Sequence, residues 1–323
     1  MSRTTTMQEE MFLSTDQESI DELERNSLQK PQGLQIVWRN VLIFAALHLS
    51  ALYGLYHLLF YARWETWLWT AFLHYFGMMS VAAGSHRLWS HRAYKAKLAT
   101  RIVFMLGTTV AHQNCVIEWV RDHRCHHKWT DTDADPHNSK RGFFYSHVGW
   151  LMTRKLPQLK EMGAKIDLSD LYDDPVLVHY APLALIFCFL LPAVIPVYLW
   201  NENALVAFTV AVPFRYVFCL NATWLINSAA HMFGYKPYDV DISPVESTWT
   251  NTPTAGEGGH NFHHSFPQDY RTSEFGHMTN WTHGLLDILA WTGQVYDRKT
   301  ATEEMIRRQM EKKGEGALGR KNR

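Results

Sequence analysis

Eleven residues near the middle of the chain carry three histidines at close spacing. The segment 119–129 reads WVRDHRCHHKW, and it contains His123, His126 and His127. In a helix, residues i, i+3 and i+4 lie on one face. Imidazole is the commonest protein ligand for metal ions, so a helix here would direct three ligands toward one point.

Two further clusters argue against a chance triplet in a chain that has 18 histidines. The motif HNFHH repeats the same spacing with His260, His263 and His264, and HRLWSH contains His86 and His91. On an ideal helix, at about 100° per residue, the last two side chains point roughly 140° apart. The helix must therefore end or distort between them. We expect the fold to bring the three clusters together.

Nine imidazoles become candidate ligands when His231, which follows a long apolar segment, is added. Nine is too many for one ion with about four to six ligand positions, and it suits two ions. Imidazole binds Fe, Zn, Cu and Ni, so the residues alone leave the metal open. A structural zinc site commonly uses Cys, and the pattern without Cys favours a redox or oxygen-activating pair. Four nearby carboxylates could orient these rings, but we favour the interpretation that they are solvated loop residues. They are Asp131, Asp133, Asp135 and Glu257.

The composition points to a membrane and away from nucleic acid. Lys plus Arg and Asp plus Glu each number 31, so the net charge is zero. The 13 tryptophans and several long apolar runs indicate membrane spans, whereas the mean hydropathy of −0.22 indicates a substantial polar part. The four cysteines form no CxxC pair, which favours free thiols in a reducing compartment.

Four apolar segments lie at about 41–62, 67–84, 181–200 and 204–226. Each approaches the roughly 20 residues that cross a bilayer, and short connections join them into two hairpins. Residues 100–116 are apolar but shorter and interrupted, which favours an interfacial or re-entrant helix. Arg215, Asn221 and Asn227 should face the bundle interior. The sequence predicts an all-α integral membrane protein with four transmembrane helices in two hairpins and a cytosolic helical cap that carries a histidine-ligated site for two metal ions.

The charge distribution predicts the orientation. Residues 85–179 contain 14 Lys and Arg, whereas the short connections contain almost none. By the positive-inside rule, this segment and both termini face the cytosol. We expect a disordered tail at 1–35, a cap formed by 85–179 and 232–298, and a polar C-terminal tail at 299–323.

Five phrases in the sequence closely resemble the membrane acyl-CoA desaturases of the stearoyl-CoA (delta-9) desaturase type, and the nematode members most of all. They are HRLWSHR, DHRCHH, DTDADPHNSKRGFFYSHVGW, NATWLINSAAHMFG and GEGGHNFHHSFPQDY. The resemblance runs from about residue 37 to 298, so it defines a desaturase domain at 36–298.

The resemblance implies an oxidoreductase of the endoplasmic reticulum membrane with a di-iron centre. Such an enzyme uses O2, and electrons from cytochrome b5 and its NADH reductase, to introduce a cis double bond into palmitoyl- or stearoyl-CoA. The bond usually lies at carbon 9, and water is released. No HPGG haem-binding motif occurs in the chain, so we expect a separate electron donor.

The resemblance also implies roles for individual residues. One iron would be held by His86, His91, His123, His127 and His263. The other would be held by His126, His231, His260 and His264, with a water held by Asn227. The acyl tunnel would be lined by Gln113, Trp119, Thr223 and Trp224. The acyl-CoA head group would bind Asn40, Arg121, Asp122, Arg154 and Lys155. His74 and Met78 would close the tunnel, and their bulk predicts a preference for palmitoyl-CoA over stearoyl-CoA.

Two features depart from the family pattern. His112 stands where an aromatic residue is common, and we interpret it as a hydrogen-bonded neighbour of Gln113 and not as a tenth ligand. The segment STWTNTPTA (247–255) is polar where the family is mostly apolar, and it contains Pro253. Buried polar groups need partners, so this segment is predicted to loosen the third histidine cluster. The alternatives to a desaturase are a membrane di-iron fatty-acyl or lipid hydroxylase and a non-catalytic metal-binding membrane protein.

Overall fold

The computed structural model describes residues 17–29, 33–177, 180–274 and 279–316, and these residues are mostly helical. The first element, α1, spans Gln17–Gln29. It lies inside the segment predicted to be a disordered tail, so this part of the segment differs from the prediction. Leu23 of α1 is buried in one apolar cluster with Cys125, Trp129 and Leu159.

Two long helices follow one another after a short connection. Helix α2 spans Trp38–Phe60 and α3 spans Trp64–Ser80, and α3 continues without a break into a π-helix at Val81–Ser90. Gly54 allows α2 to approach the helical segment that ends at Thr209 closely. A Cβ atom at that position would lie 2.2 Å from the carbonyl oxygen of Thr209.

The segment between the two pairs of long apolar helices contains a short strand and five helices. Strand β1 at Lys95–Ala96 pairs antiparallel with β2 at Val295–Tyr296. The helices are α4 Leu98–Ala111, α5 Val116–Lys128, α6 Phe143–His147, α7 Pro157–Ala164 and α8 Ser169–Tyr172. Two 3-10 turns lie at Ser139–Arg141 and Gly149–Met152. Helix α4 covers most of the segment predicted to be interfacial, and it ends where His112 adopts a left-handed conformation with φ 50°.

The second pair of apolar helices follows. The first runs through α9 Tyr180–Ala184, a π-helix at Leu185–Leu190 and α10 Leu191–Trp200. The second runs through α11 Ala204–Thr209, a π-helix at Val210–Phe214, α12 Arg215–Asn227 and a 3-10 turn at Ala229–His231. The side chain of Asn203 accepts hydrogen bonds from the backbone of Leu205 and Val206, which caps the start of α11.

The remaining elements follow the second pair of apolar helices in the chain. They are a 3-10 turn at Thr248–Thr250, α13 Asn251–Thr254, α14 His260–Ser265, α15 Trp281–Trp291 and α16 Glu303–Lys313. Asn280 caps α15 and Thr302 caps α16, each through a side-chain oxygen that accepts a backbone N–H.

Among the described residues, three helices are long and apolar enough to cross a membrane. They are Trp38–Phe60, Pro182–Trp200 and Ala204–His231. The prediction of a mostly helical membrane protein is therefore confirmed in its coarse form. The second predicted span, 67–84, lies in α3 and the π-helix that follows it, and it does not meet the same criterion of length and hydropathy. The count of four spans stays a prediction.

Arg215 shows how a charge is accommodated inside the apolar bundle. Its guanidinium group donates to the carbonyl oxygens of Ala211, Val110 and Cys188 at 3.0, 2.6 and 2.9 Å. The side chain thus ties α12 to α4 and to the π-helix Leu185–Leu190, as expected for a polar group that faces the bundle interior.

Candidate metal centre and substrate cavity

The π-helix Val81–Ser90 brings His86 and His91 to the same face. In a π-helix the hydrogen bond joins residues i and i+5, so these two positions lie above one another. The backbone N–H of His91 donates to the carbonyl of His86 at 3.2 Å, and the two ring centroids are 4.9 Å apart. The predicted distortion is present, and it takes the form of a wider helix.

Five histidines form the first group, in which one ring nitrogen from each lies within 4.8 Å of the others. The members are His86, His91, His123, His127 and His263. The Nε2 atoms of His86 and His263 are 2.8 Å apart, as are those of His91 and His123. The Nε2 atoms of His127 and His263 are 2.9 Å apart.

Four histidines form the second group by the same measure. The members are His126, His231, His260 and His264. The Nε2 atoms of His126 and His264 are 3.2 Å apart, and those of His231 and His260 are 3.1 Å apart. The two groups contain the same residues as the two sets implied by the resemblance. His126 and His127 are neighbours on α5, yet they belong to different groups.

The spacing of the nitrogens and the state of the rings both fit metal ions. Ligands about 2.1 Å from a six-coordinate ion lie about 3 Å from their neighbours. Burial lowers the pKa of His126 to about 4. Burial also holds the pKa well below the usual value for six further ring histidines, His91, His123, His127, His260, His263 and His264. Near neutral pH these rings are uncharged, and each offers a lone pair.

Three rings of the two histidine groups are held by hydrogen bonds at Nδ1. His86 Nδ1 lies 2.9 Å from Glu257 Oε2, and His126 Nδ1 lies 2.9 Å from Asp135 Oδ2. His231 Nδ1 lies 2.8 Å from Ser243 Oγ. A ring that donates its Nδ1 proton keeps its Nε2 lone pair for a metal.

The four carboxylates considered in the sequence are all buried, so the solvated-loop alternative is wrong. Glu257 and Asp135 contact ligand rings, as stated above. Asp131 instead accepts a hydrogen bond from Ser139 Oγ at 2.6 Å, and Asp133 pairs with Arg141 at 2.7 Å. Burial raises the pKa of Asp135 to about 6. Burial alone would raise the pKa of Glu257, but the charges of Arg87 and His86 and the hydrogen bonds from both side chains together outweigh burial and lower that pKa.

Sequence reasoning missed His137. Its ring lies 4.4 Å from that of His126 between centroids, and His126, Asp135 and His137 together form a third cluster of ligand-type atoms. The available signal was the phrase DADPHN, which places His137 two residues after Asp135.

Two adjacent cavities lie beside the histidine groups. The outer cavity is lined by Phe44, His112, Gln113, Asn114, Trp119, Asp122, His123, His137, Trp150, Leu151, Tyr216, Leu220, Thr223, Trp224 and Asn227. The inner one is lined by Met78, Val81, Ala82, His86, Trp119, His123, His126, Thr223, Ile226, Asn227, Thr254, Glu257 and His260. They share Trp119, His123, Thr223 and Asn227. The two adjacent cavities are together called the passage below, and their walls include members of both groups.

All four residues predicted for the acyl tunnel line this passage. Gln113 Nε2 donates to Thr223 Oγ1 at 2.7 Å. Trp119 stacks on His123 at a ring separation of 4.9 Å, and Trp224 lies on the outer part of the passage. Asn227 lines the passage beside both groups.

The predicted head-group residues lie near the outer cavity. Asp122 lines the cavity and binds both Arg121, at 2.9 Å, and Lys155. Asn40 Nδ2 donates to the carbonyl of Leu151 at 2.8 Å. The backbone N–H of Arg154 donates to the carbonyl of Gln35 at 2.9 Å. Asn40 thus binds the backbone of Leu151, a residue that lines the outer cavity.

The inner cavity reaches Met78 but not His74. Met78 is buried, and its Sδ atom lies 3.4 Å from Cys219 Sγ and 3.6 Å from Thr223 Oγ1. His74 lies one helical turn before Met78 on α3, and its Nε2 atom contacts the carbonyl of Pro253 at 3.0 Å. Met78 is therefore the member of the predicted pair that meets the cavity.

His112 lines the outer cavity and belongs to neither histidine group. Its backbone carbonyl accepts a hydrogen bond from Tyr216 at 3.1 Å, and its ring packs near Phe189. The position agrees with the interpretation of His112 as a polar neighbour of Gln113.

The polar segment 247–255 largely satisfies its own hydrogen bonds. Thr250 Oγ1 donates to the carbonyl of Ser247 at 2.6 Å, and Thr254 Oγ1 donates to that of Thr250 at 2.7 Å. Asn251 Oδ1 accepts from the backbone of Gly258 at 2.7 Å. Pro253 lies in the first turn of α13, where a helix has no use for the missing N–H. These contacts supply the partners whose lack we expected to loosen the cluster.

A separate opening reaches the first group from outside. It is lined by Ser90, His91, Arg92, Arg124, His127, Lys128, Ile166, Asp167, Pro267 and Gln268. Two of these residues are members of the first group, and three are cationic. The first group is thus approached from two sides.

Sequence comparison identifies the family. The profile described as fatty acid desaturase matches residues 62–283, which contain both histidine groups. The chain belongs to the fatty acid desaturase family. This family consists of enzymes, and the match confirms the resemblance seen in the sequence.

Individual desaturases agree over nearly the whole chain. The Delta(9)-fatty-acid desaturase fat-6 of Caenorhabditis elegans is 57% identical over 310 residues, which are 95% of this chain and 91% of that protein. The stearoyl-CoA desaturase of Homo sapiens is 47% identical over 287 residues, or 88% and 80% of the two chains. The acyl-CoA Delta(11) desaturase of Spodoptera littoralis is 49% identical over 287 residues, or 87% and 85%.

Proposed function

We propose that this fatty acid desaturase introduces a cis double bond at carbon 9 of a saturated fatty acyl-CoA, with two iron ions bound by the two histidine groups. The observation that carries the proposal is the passage, because its walls include members of both groups and the tunnel residues. A long apolar chain in this passage would lie beside both groups. The bound irons would supply the oxidation of two C–H bonds by O2.

The residues of the chain would position the substrate and its reacting carbons. Trp119 and Trp224 present broad apolar surfaces to the acyl chain. Gln113 and Thr223 fix one wall through their mutual hydrogen bond, and this wall would determine which carbons lie beside the irons. Asn227, at the boundary of the two cavities, could hold a water near the second group.

Membership of the family does not determine the position of the double bond, because a Delta(11) enzyme and a stearoyl-CoA desaturase are similarly related to this chain. The higher identity to a nematode Delta(9) enzyme favours carbon 9. Selection of a carbon depends on the distance from the head-group site to the metals, so the residues near the mouth and the tunnel wall should set it.

Cationic side chains near the mouth are suited to the acyl-CoA head group. Arg121 and Lys155 both bind Asp122, which lines the outer cavity. Arg154 lies shortly after Leu151, another lining residue, in the sequence. Arginine and lysine bind phosphates through charge-assisted hydrogen bonds. We propose that these cations bind the phosphates while Asn40 holds the mouth through Leu151.

We further propose that cytochrome b5, reduced by its NADH reductase, supplies the electrons at the opening lined by His91 and His127. Arg92, Arg124 and Lys128 lie around this opening, and Asp167 lies at its rim. An acidic donor surface would be attracted to such cations, and salt would weaken that attraction. The Michaelis constant for the donor should therefore rise with ionic strength.

The proposed location is the endoplasmic reticulum membrane, with four spans and both termini in the cytosol. Helix α3 would be the additional span, because Trp67, Leu68 and Phe72 on its outer face are exposed and apolar. Single cysteines placed in the short connections at 61–63 and 201–203 should then react with a membrane-impermeant reagent only after the membrane is opened. Labelling in sealed microsomes would contradict this topology.

The test of the function is a product assay. Microsomes that contain the protein receive labelled palmitoyl-CoA or stearoyl-CoA with NADH, and the double bond of the product is mapped. The proposal predicts a cis-9 product. A hydroxylated product would favour the hydroxylase alternative, and the absence of any oxidised product with iron and donor present would contradict the enzyme assignment.

A further inference from the structure

Arg87 is the neighbour of His86 on the π-helix, and its side chain is completely buried, at 0% exposure. Its Nη2 and Nε atoms donate to Glu257 Oε1 at 2.7 and 3.2 Å. Its Nη1 atom donates to the carbonyl of Tyr270 at 2.9 Å, and Nη2 also reaches Asn280 Oδ1 at 3.2 Å. All three nitrogens of the guanidinium group therefore have acceptors.

Glu257 connects this arginine to a metal-group histidine. One carboxylate oxygen, Oε1, faces Arg87, and the other, Oε2, lies 2.9 Å from His86 Nδ1. His86 Nε2 in turn lies 2.8 Å from His263 Nε2 inside the first group. A path of hydrogen bonds thus runs from Arg87 through Glu257 to His86, whose Nε2 atom lies in the first group.

Asn280 fixes the far side of this arrangement. Its Nδ2 atom donates to the carbonyl of Arg271 at 2.7 Å, and its Oδ1 atom also caps α15 by accepting from the backbone of His283 at 3.0 Å. A Cβ atom on Gly256 would lie 2.4 Å from the same Oδ1 atom. The arginine is held in a closely packed pocket that leaves it little freedom.

The contrast with Arg215 separates positioning from simple burial. Arg215 is also buried, but its hydrogen bonds go to Ala211, Val110 and Cys188, which belong to neither histidine group. Arg87 instead binds a carboxylate that binds a ligand ring. Removing Arg87 would leave that carboxylate buried without its opposite charge, which favours a rearrangement of the carboxylate.

We infer that Arg87 is a positioning residue for the first metal group: it orients the Glu257 carboxylate, which fixes the ring of His86 so that Nε2 points into the group. This inference rests on the proposed di-iron function and names a residue outside the ligand set. Partners of this kind affect metal affinity by about 10- to 100-fold.

The test measures iron retention on purified full-length protein in detergent, with a chelator titration and no activity assay. Arg87→Met should weaken the retention of one of two irons about 10- to 100-fold. The double variant Arg87→Met with Glu257→Gln should recover most of the affinity, because the amide oxygen still accepts from His86 and no unpaired charge remains. Arg215→Met is the matched buried control, and it should keep both irons.

The outcomes separate the possibilities. Wild-type retention by Arg87→Met, or equal iron loss in Arg215→Met, would overturn the inference. A tenfold or larger weakening of iron retention in the folded double variant would also overturn the inference. If Arg87→Met alone does not fold, the comparison of the double variant with the wild type decides. If the wild-type protein itself holds no iron after reconstitution, the proposed di-iron function fails, which is a different result from two irons in both wild type and Arg87→Met.

Discussion

His86 Nε2 lies 2.8 Å from His263 Nε2, although 177 positions separate the two residues in the chain. His263 also lies 2.9 Å from His127, so its ring joins the π-helix to α5 within the first group. The group therefore depends on α14 as much as on the two helices that precede it.

Replacing His263 with alanine removes the ring shared by these contacts. We expect the protein to lose about one iron per chain and at least about 100-fold of its desaturase activity, because even partners outside the ligand set cost up to that factor. Metal analysis and the product assay measure the two effects. His57→Ala is the control, since this buried ring binds Thr209 at 2.7 Å and belongs to neither group. Full iron content and activity in His263→Ala would contradict the ligand assignment.

Glu246 should make stability depend on pH. Burial raises its pKa from 4.5 to about 7, so the folded state holds a proton that the unfolded chain has released. The resulting stabilisation is complete below pH 4.5 and is lost as the pH rises through about 7. Its size is on the order of 3 kcal/mol.

Glu246→Gln should remove this part of the pH dependence, because the amide oxygen can still accept the backbone N–H of Phe262, which lies 2.8 Å from Glu246 Oε1. Thermal unfolding of the metal-free protein at several pH values compares the variant with the wild type. Glu304→Gln, at an exposed residue paired with Arg308, is the control and should follow the wild-type curve. Parallel curves for wild type and Glu246→Gln would show that the carboxyl does not titrate in this range.

Glu202 should stabilise the contact between the short connection at 201–203 and the start of α3. Its Oε2 atom accepts hydrogen bonds from the backbone of Arg63 at 2.9 Å and from Thr66 Oγ1 at 2.5 Å, and the side chain is buried. Glu202→Leu leaves both donors without a partner and should lower the free energy of unfolding by about 1–3 kcal/mol. Glu202→Gln keeps an acceptor and should lose less. Unfolding curves in detergent decide, and equal stability of the two variants would contradict this role.

Met78 should limit the length of the acyl chain. Met78→Ala enlarges the inner cavity and should raise the ratio of stearoyl-CoA to palmitoyl-CoA activity about tenfold, within the range known for small changes in an apolar pocket. Competition between the two labelled substrates measures the ratio. Met79→Ala is the control, since Met79 packs beside the same cluster without lining the cavity. An unchanged ratio in Met78→Ala would show that the proposed preference has another origin.

The residues of the candidate site could be predicted from the sequence, whereas their local geometry could be predicted only in part. Histidine spacing indicated the clusters, and the angle between His86 and His91 on an ideal helix required a distortion. The form of that distortion could not be predicted, because a π-helix depends on tertiary contacts that stabilise weaker hydrogen bonds. His137 was missed because its closeness to His126 comes from the turn around Asp135.

The membrane helices and the polar segment show the other limit of sequence reasoning. Hydropathy located three helices that meet the measure for a span, but α3 combines apolar positions with buried polar ones such as Thr70 and His74. The polarity of 247–255 suggested instability because composition does not reveal internal partners. In the structure, Thr250, Asn251 and Thr254 find those partners within the segment or just beyond it.

His126 and His127 place consecutive residues of one helix in two different groups, with ring centroids 5.6 Å apart. The spacing of the two proposed irons is therefore governed by the rigid geometry of a single helical turn. A shift or rotation of α5 would displace a ligand of each ion at the same moment. The two halves of the centre are mechanically linked, and neither can be adjusted, by mutation or by a docking partner, without altering its counterpart.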